Sequence, residues 1–489
     1  MFRQRLYFLI ICLVISATAA WSRIINVPAQ YSTIQAAIYA SVNGDTVLVA
    51  PGTYAENINF RGRRIVLASR FLLDHNPASI RNTIINGGNP TNPDTASCVI
   101  ISSGEDSTTV LQGFTLTGGT GTRWVDEHGA GTYVEGGGIL IQFSSPIIKN
   151  NWIVGNTAIR RPSGVTSAGG GAIRIGDGEP RILNNVIVLN SGMYGGGIVL
   201  NYTGAIVRNN IIARNTVYQA VAGAPTFGGG GIWISGNFGS ATKIIENNTI
   251  VGNACSGSGG SQYAGRGGGI IVAQTAIIAR NNIIWGNTQT TGGPVGVILS
   301  GTADLMYSDV EGGMSGTGNI DLSPQFTDTS YYLPNGSPCI DAGDPASIYN
   351  DPANPSNPSL AQPPSKGTLR NDMGTYGGPK REDIGAIFTG VGASYNLSLP
   401  QTFSLSQNYP NPFNPSTKIT FVIPAGTQHA VSLRVYDLLG REVATLMERD
   451  NPPGSYVVTW DANNEASGTY VYRLTSGNFS SSRRMLLLK

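Results

Sequence analysis

The chain has 489 residues, of which 65 are glycine, 40% are apolar and only 12% are charged, for a formal charge of +2. That length allows about two to four domains, and the apolar share excludes a collagen-like or disordered polar chain despite the glycine. The near-neutral balance, with no long basic block, argues against nucleic acid as a partner.

Arg3 and Arg5 precede an apolar run from Leu6 to Ile15, and Ala17-Thr18-Ala19 follows it. A run too short to span a bilayer, with an A-x-A site behind it, predicts a secretory signal peptide over residues 1–20. Cys12 follows Ile11, where a lipoprotein signal takes a small residue, so no lipid anchor is expected. No later stretch is apolar enough to form a transmembrane segment. Cys98, Cys255 and Cys339 are too sparse for a disulfide framework and lack metal-ligand spacing, so they read as buried fillers, with one pair plus a free thiol as the alternative.

"QYSTIQAAIYASV" is the one clear helix, with Ser32 and Gln35 at capping-box spacing and Ile34, Ala37, Ile38 and Ser41 on one side. It is expected to cap an open end of the structure that follows. Short strand runs come next: "GDTVLVAPGTY", "RRIVLAS", "NTIING", "SCVIIS" and "VLQGFTLTGG", divided by Gly, Pro and Asn turns.

From residue 136 a phrase recurs five times. A glycine-rich lead precedes Ile139, Ile173, Ile198, Ile232 and Ile270, and two positions on come Ile141, Ile175, Leu200, Ile234 and Val272. Asparagine pairs follow at 150/151, 184/185, 209/210, 247/248 and 281/282, then Ile153, Ile187, Ile212, Ile250 and Ile284. Period-2 apolar spacing means short half-buried strands. One such repeat cannot bury its apolar face alone, so the repeats stack as a solenoid of parallel strands, an all-β β-helix. Stacked asparagines at one corner are expected to form an amide ladder, assigned to Asn150, Asn184, Asn209, Asn247 and Asn281. From Asn190 to Ile198 is 8 residues, whereas Asn156 to Ile173, Asn215 to Ile232 and Asn253 to Ile270 each take 17. Insertions that share a phase project from one side, which becomes the candidate functional surface.

"VPAQYSTIQAAIYASVNGDTVLVAPGTYAENI" and the Gly-Gly-Gly-Ile and Asn-Asn-x-Ile coils resemble right-handed parallel β-helix proteins of the pectin-lyase-like superfamily. "GNIDLSPQFTD", "SPCIDAGDP" and "DIGAIF" are similar to the closing segment of secreted β-helix proteins with interchangeable C-terminal anchors. The resemblance covers about 300 residues and is specific for fold; such helices host lyases, hydrolases, esterases, epimerases and adhesins. The solenoid is placed at residues 21–345. Residues 346–402, including "DPANPSNPSLAQPPSKG", read as a closing segment and Pro/Asn/Ser-rich linker. Asp341, Asp344 and Asp351 lie near one another there; turn capping is favoured and calcium is the other option.

Residues 403–489 carry alternating strands at intervals of about ten residues, which predicts a small β-sandwich. "NYPNPFNPSTKI", "VYDLLGREV", "GSYVVTWDA" and "SGTYVYRL" closely resemble the type A C-terminal sorting domain of the type IX secretion system. Gly440, Arg441, Gly468 and Tyr470 lie in the matched motifs; turns and core packing would use the same residues. The resemblance implies the type IX secretion machinery as partner, export through the outer membrane, and a cell-surface or extracellular destination.

For chemistry, the aspartate and histidine patterns Asn-Thr-Asp, Asp-Asp and Gly-His-Gly of related hydrolases do not occur. Asp177 and Glu179 sit in "GDGEP", a turn phrase. The richest polar cluster is "TRWVDEHGAGTYVEGGG", with Arg123, Trp124, Asp126, Glu127, His128, Tyr133 and Glu135. It reads as a solvated loop, as a carbohydrate contact with Trp124 and Tyr133 as stacking platforms, or as a catalytic site using Arg123, Asp126, Glu127 or His128. Arg160, Arg161, Tyr218, Phe227, Tyr263 and Arg266 on the other long loops extend the ligand-binding candidates. The leading expectation is non-catalytic binding of polysaccharide or another extracellular ligand by a monomer without cofactor. A polysaccharide lyase or glycoside hydrolase, and a structural surface-layer component, are the alternatives.

Overall fold

The computed structural model describes residues 22–158, 164–218, 227–256, 262–290, 296–387, 403–423, 431–449 and 454–489. The expected signal peptide lies outside them.

Each coil contributes a strand to three parallel sheets in turn. Sheet I holds Ile139–Gln142, Ile173–Gly176, Ile198–Asn201, Ile232–Ser235 and Ile270–Ala273 among its eight strands. Sheet II has ten strands, including Ile147–Lys149 and Arg181–Leu183; sheet III has nine, including Trp152–Val154 and Val186–Val188. Parallel strands joined by crossovers of this kind wind right-handed. The register is direct: Ile139, Ile173, Ile198, Ile232, Ile270 and Val297 pair in one row, all at most 5% exposed. Ile153, Ile187, Ile212, Ile250 and Ile284 face them from sheet III in the same core. Coils this close leave no room at the glycine corner: a Cβ on Gly137 would lie 2.3 Å from the Gly171 carbonyl, and Gly170 has φ +65°.

The asparagine pair divides its labour: the continuous ladder runs through the second member, and of the first members only Asn281 Nδ2 and Asn247 Oδ1 are linked, at 3.3 Å, among the described residues. Asn151, Asn185, Asn210, Asn248 and Asn282 point inward, each Nδ2 donating to the next Oδ1 at 3.0–3.1 Å. A parallel ladder links Asn156, Asn190, Asn215, Asn253 and Asn287 at 3.0 Å. The expected ladder residues Asn150, Asn184, Asn209, Asn247 and Asn281 instead adopt φ between +51° and +57°, which makes the turn and directs their amides outward.

Those outward amides hold a strap. Residues beyond the last sheet III strand, Asp309–Val310, pack on the outer face of that sheet. Asn209 Nδ2 donates to the carbonyls of Thr375 and Gly377 at 2.8 Å, Asn184 to Lys380 at 3.1 Å, and Asn150 to Glu382 at 2.7 Å. Met373, Tyr376, Leu333 and Ile384 cover Trp152, Val186, Ile211 and Ile283. The Pro/Asn/Ser-rich stretch, over its described part, is therefore not a free linker. The aspartates in and around it are held on main-chain groups: Asp372 accepts from Asp341 N and Lys366 N, both at 2.8 Å. Asp341 accepts from Thr368, Asp344 caps Ala346 N and pairs with Arg280, and Asp351 accepts from Gly378 and Asp372 N.

The capping helix, Ile34–Ala40, buries Ile34, Ala37 and Ile38 against the first coils. Its N-cap is Thr33, one residue later than the expected Ser32, because Glu56 of the following segment takes the Ile34 and Gln35 amides at 2.9 Å. Two further short helices, Phe71–Asp74 and Pro77–Asn82, were not expected; Asn76 caps the second, with Pro77 at its first turn. Cys98, Cys255 and Cys339 are free and buried. No helix among the described residues is long and apolar enough to cross a membrane.

The C-terminal module pairs a sheet of Ser404–Leu405, Ser416–Ile423 and Gly454–Asp461 with one of Val431–Tyr436, Glu442–Arg449, Gly468–Ser476 and Phe479–Leu487, around Phe421, Tyr472 and Leu474. Gly440, at φ +80°, closes the turn in which Asp437 accepts from the Leu439 and Arg441 amides at 2.9 Å. Gly468 opens a strand, and Tyr470 packs on Trp460 with ring centroids 5.2 Å apart.

Two outcomes follow from the corner and the strap. Asn210→Ala takes the side-chain acceptor from Asn185 N and the side-chain donor from the Ile182 carbonyl in the core and is expected to cost about 2 kcal/mol or more at ~1–3 kcal/mol per orphaned group. Asn209→Gly keeps the left-handed turn but takes the donor from the buried Thr375 and Gly377 carbonyls, so it should cost a comparable amount by loosening the strap; denaturant unfolding measures both. Burial pushes Asp351 up to about 8, with the Asp372 charge adding to it, and burial pushes Asp372 up to about 7. Unfolded, both lose their protons near pH 4; the folded pair holds a proton above that. The strap's contribution is thus full below about pH 4 and falls as pH rises towards 8. Calorimetry should show the solenoid melting a few degrees lower at pH 8 than at pH 5, at ~2–4 °C per kcal/mol.

Candidate functional site

The insertions fold over the outer face of sheet I, on one side of the solenoid. Gly121–Val125 and Thr132–Glu135 form a hairpin that pairs on one flank with Thr95–Ala96 and on the other with Ser167–Gly169 of the next insertion. Beneath lies a second core of Val134, Val165, Ala168, Met193, Tyr194 and Val199, with Tyr133, Tyr218, Phe227 and Trp233 packed against it. Most of the inserted aromatics therefore build this layer rather than an open ribbon. Tyr133 is half-buried, its hydroxyl on Ala130 O at 3.2 Å and its ring edge-on to Tyr194. Tyr263 bonds Ser300, and Arg266 is exposed where its amide closes a turn on Tyr263 O. Arg160 and Arg161 lie outside the described residues.

Under the hairpin is a fully buried ion pair. Arg174, 1% exposed, brings Nε to 2.8 Å from Glu135 Oε2, a charge contact without hydrogen-bond alignment. Tyr194 donates its hydroxyl to the other Glu135 oxygen. Burial, then the Glu135 charge, pushes the Tyr194 phenol well up, which keeps it a donor.

The hairpin tip crosses sheet I and meets the corner where that sheet turns into sheet II. In successive coils this corner is occupied by Phe143, Asp177 and Tyr202, all left-handed at φ +52°, +45° and +48°, so their side chains stand about 4.8 Å apart along the axis. Asp126 is buried and committed to the tip, accepting from His128 N at 2.9 Å and Ala130 N at 3.2 Å. Glu127 and His128 are the tip residues that reach the corner. His128 Nε2 lies 3.0 Å from Asp177 Oδ1 and 4.0 Å from Glu127 Oε1, and its ring stacks on Tyr202 at 3.6 Å. Trp124 Nε1 donates to Glu127 Oε2 at 2.8 Å, and the Trp124 ring lies 6.1 Å from Phe143. From below, the buried Gln142 amide donates to Asp177 Oδ2 at 2.8 Å and to Glu127. Arg123 is exposed on the hairpin strand and takes no part in this cluster.

Two carboxylates in contact cannot both ionise freely. Burial, and a bond to Asp177, push Glu127 up; against the burial that would raise it, bonds from Glu127, His128 and Gln142 hold Asp177 down. Asp177 and Tyr202 join the site although neither stood out in the sequence, where Asp177 belongs to a turn phrase. The signal was their common phase, one position after each sheet I strand.

Elsewhere, clefts of ≈ 260 and ≈ 400 Å³ open beside the strap, the second lined by Arg208, Arg280, Tyr349 and Lys380. Arg208 and Arg280 are already paired with Glu246 and Asp344 at 2.8 and 3.1 Å, so neither offers an open cationic site.

Glu135→Ala leaves the Arg174 charge buried without its counter-ion and is expected to cost about 3–5 kcal/mol, while Glu179→Gln, at an exposed position, should cost almost nothing; unfolding curves measure both.

No curated protein and no solved structure matches the chain. Residues 407–488 match the family described as the secretion system C-terminal sorting domain; the protein is thereby a cargo of the type IX secretion system, delivered to the cell surface or the extracellular space.

Proposed function

We propose that this exported β-helix, of the pectin-lyase-like kind, binds polysaccharide without cleaving it, along the corner formed by Trp124, Phe143, His128 and Tyr202. The observation that carries the reading is the exposed ring surface there. Phe143 is 49% exposed and lies beside Trp124, while the stacked His128–Tyr202 pair continues the surface along the solenoid axis. Flat faces suit sugar rings, and the adjoining carboxylates and imidazole suit hydroxyl groups.

The same cluster argues against glycoside hydrolysis. The two carboxyl groups of a retaining hydrolase stand ~5–5.5 Å apart, and those of an inverting one further. Here Glu127 and Asp177 bond each other, and both accept from Gln142, so they do not flank a scissile bond. Nor is Arg174 free to serve a lyase as base, since it is sealed against Glu135.

Affinity electrophoresis against a panel of acidic and neutral polysaccharides tests the proposal. Trp124→Ala with Phe143→Ala should weaken binding at least about tenfold, the ~1.4 kcal/mol expected of lost ring stacking. Binding unchanged in that variant, or the appearance of unsaturated products or new reducing ends, would contradict it.

A further inference from the structure

We propose that Glu127, His128 and Asp177 form a binding site for a divalent transition ion of the Zn²⁺ type, built where the hairpin tip meets the sheet I corner. This goes beyond polysaccharide binding and does not depend on it.

The first support is geometric. One imidazole nitrogen and one oxygen from each carboxylate all lie within 4.8 Å of one another. The His128 nitrogen stands 3.0 Å from Asp177 Oδ1 and 4.0 Å from Glu127 Oε1. A tetrahedral ion with bonds of ~2.0–2.2 Å holds its ligands about 3.3–3.6 Å apart, so small rotations of surface side chains bring all three onto one centre. Two carboxylates and a neutral imidazole also balance the charge of a divalent ion.

The second support is independent: each donor is held by a partner of its own. Trp124 Nε1 fixes Glu127 through Oε2, and the fully buried Gln142 fixes Asp177 through Oδ2, both at 2.8 Å. The His128 ring is clamped against Tyr202. Outer partners that set the orientation of imidazole and carboxylate are the usual support of a metal site, whereas a merely solvated loop needs none. Gln142 also donates to Glu127, so one amide spans both carboxylates beneath the centre.

The donor set selects the ion. Ca²⁺ and Mg²⁺ take oxygen ligands, and Ca²⁺ takes six to eight of them; a nitrogen with two oxygens suits Zn²⁺ and its neighbours. Three protein ligands leave a fourth position open on the exposed side.

Isothermal titration of the full chain with ZnCl₂, and separately with CaCl₂, tests the site, with Co²⁺ absorption as a second readout and no polysaccharide in any arm. One Zn²⁺ per chain is expected, weakened at least tenfold in His128→Ala and in Asp177→Asn. Asparagine tolerates the left-handed backbone of position 177, so the second variant keeps the fold. Co²⁺ should give visible d–d bands in the wild type that both variants lose. No Zn²⁺ uptake by the wild type, uptake unchanged in both variants, or Ca²⁺ binding as tight as Zn²⁺ would overturn the proposal. Because only the metal is added, its failure is separate from a failure to bind polysaccharide.

Discussion

An asparagine amide carries a donor and an acceptor on one short side chain, so identical asparagines one strand spacing apart can bond each other without end. The described coils use this twice, at Asn151–Asn185–Asn210–Asn248–Asn282 and at Asn156–Asn190–Asn215–Asn253–Asn287. Each amide also binds main-chain groups, as Asn185 does with Ile148 O at 2.9 Å and with the Asn151 amide at 3.0 Å. A coil that slipped by one residue would break these bonds and turn its isoleucines out of the bore. The ladders thus fix the register, and the register fixes everything mounted on the coils.

What is mounted differs by face. Sheet III is covered by the strap, held through the outward asparagines and the apolar side chains of residues 331–387. Sheet I is covered by the inserted layer, whose contacts end at Glu127 and His128. The corner between sheets I and II keeps its side chains accessible. There the regular 4.8 Å rise sets Phe143, Asp177 and Tyr202 side by side, a spacing no flexible loop would hold. The site is therefore half scaffold and half loop: the corner is rigid, and the hairpin tip supplies the imidazole.

Period-2 isoleucines, glycine triplets and asparagine pairs made the solenoid legible from the chain alone, because each repeat states the same local geometry. The equal lengthening of three repeats likewise showed which side carries the insertions. Which asparagine turns inward was not legible, since both members of a pair suit a corner and only the backbone twist separates them. The strap was hidden for a related reason. "DPANPSNPSLAQPPSKG" has the composition of a linker and is largely exposed, while the residues that follow it are buried through bonds to positions over a hundred away, such as Asn247 with Asp372 O at 3.1 Å. Of the site, Trp124, Glu127 and His128 were visible as a polar cluster. Asp177, Gln142 and Tyr202 were not, because only the stacking brings residues 15 to 75 positions from Glu127 to one corner with it.

The central claim is that successive coils stack in direct register along one axis. Val66 and Asp304 lie in one row of sheet II, joined through residues 110, 147, 181, 206, 244 and 278. Seven steps of ~4.8 Å place their backbones about 34 Å apart. Spin labels at Val66→Cys and Asp304→Cys, read by pulsed electron resonance, should give one narrow distance distribution centred near that value plus the length of the labels. A broad distribution, or a separation many ångströms shorter, would mean that the coils do not stack in this way.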